Sequence, residues 1–212
     1  MSHRRLSRRL TQLYLGLWLY GLSGALLVRS KLGLDPWDVL HQGIAGRSGF
    51  AIGTIVIFVG AAVLLLWIPL RQWPGLGTIS NAVLVGVSLN VSLQMLPLDA
   101  RLWVRVVEMA GGIALCGVAT GMYIGANMGP GPRDGLMTGL ARRTGRSIRL
   151  VRTGIEVTVL VVGWILGGTV GIGTVLFAVA IGPLAQVFLP LFDVRTNRVD
   201  PPTDVLDAPL AS

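Results

Sequence analysis

Charge, cysteine and histidine are all in short supply along this 212-residue chain, and each shortage removes a class of function. Only 13% of the residues are charged against 52% hydrophobic, and the mean hydropathy of +0.69 is too apolar for a water-soluble domain of this size. The single cysteine, Cys116, sits inside an apolar run, which excludes an intramolecular disulfide and a thiolate metal cluster. The two histidines, His3 and His41, are far apart and offer neither zinc-ligand spacing nor a nucleophile and base pair. No metal, no catalytic residue and no enzymatic activity is therefore expected. Glycine-rich stretches are not followed by Gly-Lys-Ser/Thr, so no nucleotide site and no cofactor is in view. The net charge of +8 comes from arginines dispersed at the ends of apolar runs, a pattern for lipid headgroups and not for nucleic acid.

What the chain has in abundance is long apolar segments. A helix needs roughly 20 mainly apolar residues to cross a bilayer, because its backbone polar groups must be satisfied within the segment. Runs of that kind place spans at about 10–28, 52–69, 79–96, 103–126, 150–166 and 175–192. The expected fold class is an all-α membrane protein of about six transmembrane helices, with the lipid bilayer as its first partner.

The six runs are related in threes. Leu32-Gly33-Leu34-Asp35-Pro36-Trp37-Asp38-Val39-Leu40 aligns with Met128-Gly129-Pro130-Gly131-Pro132-Arg133-Asp134-Gly135-Leu136, an offset of 129 − 33 = 96. Gly75-Leu76-Gly77-Thr78 aligns with Gly171-Ile172-Gly173-Thr174 at 171 − 75 = 96, so no gap intervenes. The same offset pairs Gly16 with Gly112 and Gly21 with Gly117, which brings the first run into the repeat and argues against its being a cleaved signal peptide. The expected organisation is a basic cytoplasmic amino terminus (1–9), a first three-span repeat (10–96), a second (97–192) and a disordered cytoplasmic tail (193–212). Three crossings leave the chain on the opposite side, so the second repeat is expected upside down relative to the first.

Arginine placement offers a separate handle on orientation. With the amino terminus inside, thirteen of the eighteen Arg and Lys fall in inner segments, from Arg4 and Arg5 to Arg195 and Arg198, and five, Arg29, Lys31, Arg47, Arg101 and Arg105, in outer ones. That bias puts both termini in the cytoplasm of a cell membrane.

Candidate chemistry centres on the duplicated Gly-x-x-Pro-x-Asp loops. Gly33 and Gly129 permit a tight turn, Pro36 and Pro132 suit a first helical position, and Asp38 or Asp134 either caps the new helix or faces a substrate beside it. Arg133 stands between Pro132 and Asp134. Asp38, His41 and Gln42 fall at i, i+3 and i+4, giving the first short helix one polar face, either water-facing or functional. Glu156 is the clearest acid inside a span, with Arg152 one turn earlier as a structural ion partner or as part of a polar site. Gly75, Gly77 and Thr78, and likewise Gly171, Gly173 and Thr174, read as structural turns in which threonine caps the next helix.

These motifs together, with Asp38-Val39-Leu40-His41-Gln42-Gly43 and the run from Gly129 to Leu136, resemble the YczE/YyaS/YitT-type bacterial integral membrane proteins. The resemblance covers about 10–192 and departs at Asp35, where a glycine is the family pattern. It implies the bacterial cytoplasmic (inner) membrane and supplies no activity, the family being largely uncharacterised. Inverted duplication and broken-helix loops suit a small permease or secondary transporter of unknown substrate. The alternative is an accessory or regulatory protein that acts through a membrane partner. Small-residue pairs such as Gly163 with Gly167 are compatible with a homodimer as well as with packing inside one chain.

Overall fold

A computed structural model describes residues 3–97 and 101–194, so the expected disordered tail lies, from residue 195 on, outside the described residues. Eight helices run in order: α1 (His3–Ser30), α2 (Pro36–Ser48), α3 (Ile52–Trp67), α4 (Leu76–Met95), α5 (Leu102–Gly125), α6 (Pro132–Thr144), α7 (Ile148–Ile165) and α8 (Ile172–Phe192), with no strand among the described residues. The starts of α2, α3 and α4 recur in α6, α7 and α8 at 132 − 36, 148 − 52 and 172 − 76, each 96. The duplication read from glycines and prolines therefore extends to the starts of these three helix pairs.

Four of these helices, α1 over Leu6–Ser30, α4, α5 and α8, are long and apolar enough to cross a membrane. A fifth crossing is obtained if α2 and α3, which meet at 114°, are taken as one bent span. The runs at 52–69 and 150–166 fall on α3 and α7. Of the six helices on which the expected spans fall, these two miss the plain criterion, α3 because it has 16 residues and α7 because Arg149, Arg152 and Glu156 charge its first half. Outward faces are apolar, with Leu65 65%, Val179 70% and Leu191 69% exposed, as expected of a protein whose surroundings are lipid tails and not water.

Contacts fix the helix directions. Gly16 lies against Tyr123, Gly112 against Ser23 and Leu27, and Arg105 Nε donates to Ser30 O at 2.7 Å, so α5 runs antiparallel to α1 along its whole length. α4 runs parallel to α1: Ser88 Oγ donates to Trp18 O at 2.6 Å and Arg29 donates to Leu93 O. α3 runs against α4, with Gly53 N–H donating to Asn90 Oδ1 at 2.8 Å and Gly60 facing Ala82. α8 lies parallel to α5 through Gly117 with Leu184 and Gly125 with Phe192. Small residues at each crossing let backbones approach, the usual basis of helix association where no hydrophobic effect separates helix from solvent.

The short helices are exchanged between halves. α2 of the first half packs on α7 of the second, and α6 of the second packs on α3 of the first. The loops are clasped in the same crossed manner: Gly77 N–H donates to Met128 O and Gly173 N–H to Leu32 O, both at 2.8 Å. Gly33 and Gly129, at φ 126° and 118°, occupy a backbone region closed to L side chains, and each lies against the Gly-x-Gly-Thr turn of the other half.

Candidate functional site

The start of α2 lies beside Gly24 of α1, and the start of α6 beside Tyr123 of α5. In the first half Asp35 is the N-cap, its Oδ1 accepting from the backbone N–H groups of Trp37 (2.8 Å) and Asp38 (2.9 Å), with Pro36 at the first helical position. In the second half Gly131 takes that place without a side-chain cap. Asp38 and Asp134 both stand in the first turn of their helices, and Asp38, three positions past a cap that is itself an aspartate, faces inward. Its Oδ1 lies 2.9 Å from His41 Nδ1, and its other oxygen rests against Gly24 of α1. Asp134 Oδ2 accepts the hydroxyl proton of Tyr123 at 2.7 Å.

Arg133 joins the two halves. Its guanidinium lies 3.9 Å from Asp35 Oδ1 and 3.8 Å from Asp38 Oδ1, and 5.1 Å over the ring of Trp37. Those ion contacts exceed hydrogen-bond length, so Coulomb attraction holds the arginine while its planar donors stay free. Charge sidedness counted Arg133 among the inner-loop arginines; in the fold it is an interior residue, its side chain only 21% exposed. His41, 1% exposed, and Trp37, 6% exposed, each have a buried ring nitrogen with no partner, Nε2 and Nε1 respectively. A water-facing reading of the α2 polar face is thus excluded, since both Asp38 and His41 are buried.

Beside this cluster is a cavity of about 60 Å³, walled by Tyr20, Trp37, Asn81, Tyr123, Arg133 and Asp134 together with valines of α3 and α4. Tyr20 and Tyr123 meet edge to face at 5.8 Å. Room for a few waters or one small solute, polar groups from both halves and apolar walls combine in one place. Of the charged groups, Arg133 and Asp134 line the cavity itself, while Asp35 and Asp38 contact Arg133.

Other residues singled out in the sequence lie elsewhere. Gln42 Oε1 accepts from Thr169 N–H at 2.6 Å and ties α2 to the α7–α8 connection. Arg152 Nε donates to Glu156 Oε1 at 2.8 Å on the outer part of α7, with side chains 54% and 31% exposed, apart from the cavity wall. Thr78 Oγ1 accepts from Gly75 N–H at 3.2 Å and donates to Pro130 O at 2.7 Å, while Thr174 Oγ1 accepts from Gly171 N–H at 3.3 Å. Sequence reasoning missed Asp35, Tyr20 and Tyr123 as neighbours of the cluster. Only Asp35 carried a signal, as an aspartate in a position where the second repeat has glycine.

Residues 7–190 match a family of unknown function (DUF6198). The chain is 41% identical over 177 residues to an uncharacterised protein of Haemophilus influenzae, covering 84% of this chain and 81% of that one. It is 33% identical over 184 residues to the uncharacterised membrane protein YczE of Bacillus subtilis, covering 86% of each, and 26% identical over 183 residues to the uncharacterised protein YyaS of the same organism, covering 84% and 91%. No solved structure matches.

Proposed function

The chain belongs to the DUF6198 family of unknown function, a family with membrane-protein relatives, and on that premise we propose that it is a small permease or secondary transporter of the bacterial cytoplasmic membrane. It works without catalysing a reaction, through two inverted three-span halves, α1, α3 and α4 against α5, α7 and α8, with both termini in the cytoplasm. The antiparallel course of α1 and α5, helices equivalent under the 96-residue offset, supports inversion. The observation that carries the transport reading is the contact of Arg133 with Asp38 beside a cavity. Ionisable groups are costly among apolar helices, and broken helices whose amino termini point at a central site are a recurring way for inverted-repeat carriers to hold a solute.

The test is flux. Proteoliposomes carrying the purified chain are challenged with a panel of amino acids, organic amines and small carboxylates, with solute entry and internal pH as readouts. At least one solute should move, and Asp38→Asn and Asp134→Asn should abolish that movement while the protein still melts as a folded unit. A wild-type chain that moves nothing, and that is recovered with a stoichiometric membrane partner in mild detergent, would replace this reading with an accessory role.

A further inference from the structure

At the end of the bundle that carries the start of α1, the α3–α4 connection and the last turn of α6 border a second, open cleft of about 440 Å³, lined by Leu70, Arg71, Gln72, Gly139, Arg142 and Arg143. That is within the roughly 300–1,000 Å³ of ligand-sized clefts. Among the described residues none of its three arginines has an acidic partner. Gln72 Nε2 is buried with no acceptor.

The duplication supplies an internal control. At the 96-residue offset, Arg143 corresponds to Arg47, and the two do the same work: Arg143 donates to Pro69 O, and Arg47 donates to Leu166 O at 3.2 Å and Ile165 O at 3.1 Å. One arginine therefore suffices to tether a short helix to its neighbour. Arg71, Gln72 and Arg142 correspond to Gly167, Gly168 and Gly46, so the opposite end of the bundle builds the same architecture with no side chains at those places. Arg71 even holds φ 52°, the left-handed region that Gly167 occupies at φ 101° without strain. A general preference for arginine on one membrane face asks for charge anywhere on that face. It does not account for an arginine kept in a conformation that suits glycine, next to a second arginine and an unpaired buried amide.

We propose that Arg71, Gln72, Arg142 and Arg143 form a binding site for a phosphate group, the headgroup of an anionic phospholipid in the adjacent leaflet or a soluble phosphate anion. Guanidinium forks match phosphate oxygens in geometry and charge, and basic pockets between helices at a membrane surface are the usual seats of such headgroups. Occupancy fastens the carboxyl-terminal end of α6, whose other end carries Arg133, to the α3–α4 connection. The site is independent of whether the central cavity transports anything.

The purified chain in phosphatidylcholine-containing micelles is titrated with phosphatidylglycerol and, separately, with inorganic phosphate, with melting temperature and bound lipid by native mass spectrometry as readouts. Saturating occupancy should raise the wild-type melting temperature by roughly 5 °C. The variant Arg71→Gly combined with Arg142→Gln should bind at least about tenfold more weakly, and Arg71→Gly alone should keep or raise the basal melting temperature because it relieves the left-handed arginine. A response to phosphatidylglycerol alone assigns the site to lipid; a response to inorganic phosphate assigns it to a soluble anion. A wild-type chain indifferent to both, or a double variant that responds as the wild type does, overturns the proposal.

Discussion

Arg133 of the second half and Asp38 of the first stand 3.8 Å apart, and through this contact each half's broken helix meets the other's in the interior. Removing the arginine leaves Asp35 and Asp38 facing each other without a counter-charge. Arg133→Gln should destabilise the fold by about 3–5 kcal/mol, the usual cost of breaking a buried pair from one side. Arg133→Gln with Asp38→Asn should be more stable than Arg133→Gln alone, because the lone buried charge has been removed as well. Unfolding curves in denaturing detergent measure both, and a double variant as unstable as the sum of its parts would show that the two groups do not act on each other.

The proposed inversion makes a sidedness prediction that the native cysteine does not confuse, Cys116 being buried. Ser48 and Thr144 are exposed, equivalent at the 96-residue offset, and close α2 and α6 respectively. Ser48→Cys and Thr144→Cys should react with a membrane-impermeant maleimide from opposite faces of sealed vesicles. Labelling of both from one face would refute the inverted arrangement.

The two threonine turns look alike in sequence and differ in bonding. Thr78→Val removes the donor to Pro130 O and should cost about 1–3 kcal/mol, since it leaves a carbonyl unpaired inside the bundle. Thr174→Val loses only an acceptor for Gly171 N–H at 3.3 Å and should cost under about 1 kcal/mol. Thermal melts of the two variants in one detergent compare them directly, and equal losses would mean that the Pro130 bond adds nothing.

Much of this architecture is legible in the chain's own words. Glycine and proline mark where α2 and α6 begin because their backbone requirements are local, and a gapless 96-residue offset carries the starts of α3 and α4 to those of α7 and α8 with them. Only one partner of Asp38 was legible. Periodicity relates residues within one helix, so it joined Asp38 to His41 correctly and to Gln42 incorrectly, Gln42 being turned to Thr169 in the other half. Arg133 was read both as an orientation charge and as a candidate for the polar site, because sidedness counts residues by segment and does not see a segment folding back into the interior. Glu156 drew attention as an acid within an apolar run, yet Arg152 one turn away satisfies it at the periphery.

The crossed clasp between turns has a consequence for biosynthesis. Leu32 O waits for Gly173 N–H, about 140 residues later in translation, so the earliest loop to leave the ribosome is among the last to be secured. A gene cut between the repeats should yield two fragments that persist only when expressed together, each serving as the other's missing scaffold.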